Sequence, residues 1–111
     1  MVLKIDWSTP IIPKDIIMQI QPPDLEDFYL KADSYDKSNL FFVFLTSFYH
    51  YSDVKNIKEA AHLSFLMAYY LFMTLTPPGS MTLALHYIKQ AISLNPLEEY
   101  KEWLHLIEKG N

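Results

Sequence analysis

The stretch from Ala60 to Leu75 constrains the fold more than any other part of the chain. Only His62, Ser64 and Thr74 in it are plainly polar, and Leu63, Phe65, Leu66, Met67, Tyr70, Leu71, Phe72 and Met73 leave no face for water. A helix that is apolar all round must be enclosed by its own protein, by a partner chain or by lipid. The stretch is shorter than the ~20 residues a membrane span needs. The other apolar run, Leu40–Tyr51, is shorter still and contains Thr46, Ser47 and His50. Both read as core helices, and no membrane span is expected.

Composition decides what surrounds them. A chain of 111 residues, half of them hydrophobic, supports one core, and only two glycines favour helices over a turn-rich β fold. The net charge is −4 and there is no arginine, so neither a basic stripe nor a bidentate fork is available for nucleic acid. No cysteine is present for a disulfide, a thiolate nucleophile or a cysteine zinc site. Asp6 interrupts the opening residues and no apolar signal core follows. A cytoplasmic protein is expected.

Residues 1–23 differ from the rest and are expected to form an extended arm, with residues 24–111 as the helical domain. Leu3, Ile5 and Trp7 alternate with Lys4 and Asp6 as a short strand would, and Pro10, Pro13, Pro22 and Pro23 punctuate the remainder of the arm. Lys14–Ile20 has room for a turn or two of helix, with Ile16, Ile17 and Ile20 inward. The arm is read as lying across its own helical body, with docking on another chain as the alternative.

Asp24 predicts an N-cap for a helix with Leu25 and Phe28 on its inner face, broken over Ser34–Ser38. Leu40–Tyr51 carries Phe41, Phe44, Leu45 and Phe48 at helical spacing. The central helix then starts near Asp53, with Val54, Ile57 and Ala61 as one stripe, and stops at Thr76-Pro77-Pro78-Gly79. Ser80 predicts the cap of a helix with Ala84, Ile88 and Ala91 inside. Asn95-Pro96, with Glu98 at the capping-box position, predicts the start of a last helix. Leu97, Tyr100, Leu104 and Ile107 form its inner stripe, and Gly110 stops it.

Ala84, Ile88, Ala91 and Pro96 stand at the small, bulky, small and proline spacings of a tetratricopeptide repeat's second half. The run from Ala84 to Pro96 resembles that family's second helix, and Ala68-Tyr69-Tyr70 resembles the end of its first. The resemblance covers roughly residues 60–96, about one repeat. Leu66 replaces the usual glycine, His62 the aromatic, and Pro77-Pro78-Gly79 lengthens the turn. It implies an all-α fold of antiparallel helical hairpins, a right-handed helical array or a small bundle, which must be completed by flanking helices or a partner.

Two Glu-x-x-His pairs, Glu59/His62 and Glu102/His105, have the spacing that di-iron bundles use. Such bundles also need a carboxylate from each of two other helices, and Leu40–Tyr51 and Ser80–Leu94 contain none. On the last helix, Glu102 and His105 lie opposite the apolar stripe. No phosphate loop, nucleophile elbow or metalloprotease motif occurs. No catalytic residue, metal or cofactor is expected. His50 and His62 are read as core-edge histidines with the capacity to sense pH.

The reading that remains is a protein-interaction module, an adaptor or chaperone-like domain holding a partner protein or peptide in a helical groove. The expected groove residues are Leu63, Leu66, Met67, Tyr70 and Met73, opposite the Val54–Ile57–Ala61 stripe of the central helix. The alternative is a structural subunit or toxin-neutralising protein acting as an obligate oligomer.

Overall fold

In the computed structural model, every residue from Ala60 to Phe72 is buried. This stretch is the axis on which the other helices are packed. The structure describes residues 2–110, so Met1 and Asn111, the outer ends of the two expected segments, lie outside the described residues. The described chain is all-helical, with 74% of residues in helix and no strand. Its helices are α1 (Lys14–Ile17), α2 (Pro22–Lys31), α3 (Ser34–Tyr51), α4 (Ile57–Tyr69), α5 (Ser80–Leu94) and α6 (Glu98–Lys109). A 3-10 turn, Val54–Asn56, leads into α4, and a π-helical segment, Tyr70–Leu75, continues it.

α4 packs against both α3 and α5, and α5 against α6. The cross-links fix the directions. Tyr70, late in the central helix, donates its hydroxyl to the carbonyl of Lys37, early in α3. The Ser64 hydroxyl lies 2.7 Å from the Tyr87 carbonyl and 2.9 Å from the Gln90 side-chain oxygen. Each pair is roughly equidistant from the connecting loop, as antiparallel neighbours require. α6 returns alongside α4, stacking Tyr100 on Phe65 at 5.0 Å and setting Trp103 edge-on to Tyr69 at 5.1 Å.

The π segment has a mechanical consequence. Tyr69 and Thr74 both donate to the Glu26 carboxylate of α2, at 2.7 and 3.0 Å. Five residues apart on an α-helix, they would point about 140° away from each other. The wider i→i+5 winding brings both onto one side. The helix then ends at Thr76, whose φ of 44° is left-handed.

Helix starts differ from those expected, each for a local reason. The cap of α2 is Gln21, because Pro22 and Pro23 have no N–H to satisfy and a preset φ. Asp24 accepts the Gln21 N–H at 2.8 Å from inside the first turn. α3 starts at Ser34 because Asp33 accepts the Asp36 N–H at 2.8 Å, so the expected break lies at Ala32–Asp33. Gly79, at φ 77°, caps α5 in a conformation only glycine takes easily, making Ser80 the first helical residue. The Leu97 N–H turns back to the Asn95 carbonyl at 2.8 Å. That turn holds Pro96 outside α6 and leaves Leu97 exposed, while Tyr100 and Ile107 are buried as expected.

Leu3, Ile5 and Trp7 form no strand, since a helical body offers no sheet edge to pair with. The segment is instead held by single contacts. The Ile12 N–H donates to Ser47 Oγ at 2.9 Å, and the Tyr51 hydroxyl donates to the Ile12 carbonyl at 2.7 Å. Ile12, Ile17 and Ile20 join the same core as the helices. Tyr51→Phe leaves the Ile12 carbonyl without its buried donor, and should cost about 1–2 kcal/mol. Thermal denaturation followed by circular dichroism should show a melting temperature several degrees lower.

Candidate functional site

Four of the five expected groove residues, Leu63, Leu66, Met67 and Tyr70, are fully buried; Met73 alone reaches the surface, at 42% exposure. Tyr70 shows why. Its ring stands edge-on to Tyr29 and to Phe44, each at 6.4 Å, and burial pushes its phenol pKa well up. α3, α5 and the N-terminal segment cover the faces of α4, so a partner reaching these side chains would have to displace a helix.

The expected Val54–Ile57–Ala61 stripe splits. Ala61 is buried, while Val54 is 90% exposed and Ile57 is also at the surface. Asp53 accepts the Asn56 N–H at 2.8 Å, closing the 3-10 turn and swinging Val54 off the helix. These two residues, with Tyr49 at 71% exposure, rim a groove between the end of α3 and the end of α5. Ala60 and Phe48 also line it, Gln90 and Leu94 contribute from α5, and it encloses about 560 Å³. A second cleft of about 590 Å³ is walled mainly by the N-terminal segment, including Leu3, Ile5, Ile11 and Ile16, against Val43 of α3.

His62 is a titratable group buried in the core. Its Nε2 lies 2.7 Å from the Ile20 carbonyl and its Nδ1 lies 3.2 Å from the Tyr100 hydroxyl. A carbonyl only accepts, so Nε2 carries a proton; burial disfavours a second proton on the ring, so Nδ1 accepts from the Tyr100 hydroxyl. The ring is thus held neutral, joining the N-terminal segment, α4 and α6. Burial drives its pKa below 6.5, against smaller upward pulls from the Ile20 hydrogen bond and the Glu99 carboxylate. Tyr100 is pushed up to about 12, by burial first and Glu99 second.

With both ring nitrogens of His62 engaged, the Glu59/His62 pair has no free imidazole donor. His105 is exposed and lies 3.9 Å from Glu108. Among the described residues, no three His, Asp or Glu side chains converge as metal ligands. No helix there is long and apolar enough to cross a membrane.

Comparison with family models, curated proteins and solved structures returns no match. The groove therefore rests on its own geometry. The sequence did carry a signal for Val54: it is a lone apolar residue among Ser52, Asp53, Lys55 and Asn56, a setting that favours exposure. Tyr49 carried none, because Phe48 beside it is buried and both look alike in the apolar run.

The lowered pKa of His62 fixes the sign of a pH effect. Well above pH 6.5 the ring is neutral both folded and unfolded, and stability is full. As the pH falls further, the unfolded chain binds a proton that the folded ring resists, and stability drops until the folded ring protonates too. Urea titrations between pH 7 and pH 5 should show stability falling as the pH is lowered. In His62→Gln that slope should flatten.

Proposed function

We propose that this protein is a protein-interaction module that holds a partner protein or peptide in the groove between the ends of α3 and α5. The observation that carries the reading is the concavity rimmed by Tyr49, Val54 and Ile57. Large apolar side chains stand in solvent there around a depression built on packed helices, and such sites suit anchor residues of a partner. A bulky apolar side chain on a short helical or extended segment would fill it. The antiparallel α4/α5 hairpin, with Ala84, Ile88 and Ala91 buried between its helices, supports reading the scaffold as tetratricopeptide-like. The rigid support and the absence of glycine from the rim favour a preformed binding surface, as an adaptor or chaperone-like domain needs.

Affinity purification of the tagged chain from its native cells, with mass spectrometry, identifies the partner. Val54→Glu/Ile57→Glu then places charge on the rim without touching the buried core. This variant should bind the identified partner at least about tenfold more weakly, with an unchanged melting temperature. Equal affinity for both proteins would rule out the groove as the binding site.

A further inference from the structure

Tyr35, Phe42 and Tyr49 recur every seven residues along α3 and stand in solvent at 81, 58 and 71% exposure. Residues seven apart on a helix drift by only about 20°, so the three rings form one strip down its outer face. Ser38 and Leu45 fall between them at the alternate positions of the same heptad seam. The buried face of α3 is a separate stripe, Leu40, Val43, Phe44, Ser47, Phe48 and Tyr51. The helix is thus apolar on two sides, and the core accounts for one.

The strip is symmetric about Phe42. A two-fold axis through that residue, perpendicular to α3, lays the strip on its own copy: Phe42 meets Phe42, and Tyr35 meets Tyr49. Such a self-complementary patch is what a closed two-fold dimer requires. Beside Phe42 lies an open, largely polar depression of about 440 Å³, lined by Trp7, Pro10, Asp36, Asn39, Val43 and Thr46, which leaves the strip's edge unobstructed on that side. The antiparallel arrangement also sets the positive N-terminal end of each helix beside the negative C-terminal end of the other.

The three rings supply about half of the area that a standard interface needs. The exposed parts of the three rings amount to roughly 400 Å² per copy. A standard interface buries about 800 Å² per partner. The rest would come from positions flanking the strip along a helix about 27 Å long.

We propose that α3 pairs with α3 of a second copy of this chain, antiparallel and centred on Phe42. The pairing goes beyond the groove reading and shares only Tyr49 with it. Sedimentation equilibrium should find the wild type dimeric at tens of micromolar. Phe42→Glu should weaken association at least about tenfold, while its melting temperature, compared with wild type at a dilution where both are monomeric, stays unchanged. Val54→Glu/Ile57→Glu should remain dimeric, which separates this pairing from the groove. The chain has no cysteine, so introduced thiols report the register directly. Tyr35→Cys mixed with Tyr49→Cys should give disulfide-linked dimers under mild oxidation. Tyr35→Cys alone should not link, because its two copies would stand about 20 Å apart. A monomeric wild type, a dimer indifferent to Phe42→Glu but broken by Val54→Glu/Ile57→Glu, or self-linking of Tyr35→Cys would each overturn the proposal.

Discussion

The enclosure of α4 and its π-helical extension is the constraint on which the rest depends. An apolar helix is indifferent to what covers it, so side-chain volume alone would not specify how the surrounding elements are placed. The few polar groups on this helix supply that information. His62 bonds to Ile20 of the N-terminal segment and to Tyr100 of α6; Ser64 faces α5; Tyr69 and Thr74 share Glu26 of α2; Tyr70 reaches α3. Each group would be costly to bury unpaired. Among the described residues, no buried side-chain nitrogen or oxygen lacks a partner. Five polar side chains thus address five different elements. A misplaced element would leave at least one donor or acceptor unsatisfied, at about 1–3 kcal/mol each.

With the central helix sealed, the apolar surface left to solvent lies on the outer elements, above all on α3 and the turn that follows it. Those elements carry more exposed aromatic and aliphatic surface than a helix packed on one side requires. Tyr35, Phe42, Tyr49, Val54 and Ile57 are all at the surface within a short span of sequence. The groove and the α3 strip are neighbouring parts of this surface, joined at Tyr49, and their geometry suits different occupants. The groove is concave, the shape the proposed partner side chain needs; the strip is linear and evenly spaced, the shape the proposed self-pairing needs.

Much of the architecture was legible in the sequence because burial of an all-apolar stretch does not depend on what does the covering. The helical class and the approximate stops at Thr76–Gly79 and Gly110 follow from composition and breakers alone. Caps were less legible because several candidates compete within two or three residues. Gly79 prevails over Ser80, and Asp33 rather than a later residue opens α3. The π segment left no trace, since an uninterrupted apolar run shows no register to shift. The expected groove was the least legible feature. Met67 and Tyr70 have the same chemistry in a core as at an interface, and only the packing of α3 over α4 assigns them to the core. The polar Ser47, buried to hold the Ile12 N–H, also obscured which face of α3 points inward.

Hydrogen exchange of the isolated chain, read by mass spectrometry, tests the sealed central helix most directly. Amides from Ala61 to Phe72 should be the slowest in the molecule, exchanging only through global unfolding, while those of α2 and α6 exchange sooner by local opening. If the central helix instead exchanges as fast as α6, and is protected only when a partner binds, then α4 is a binding surface and not the sealed core of the fold.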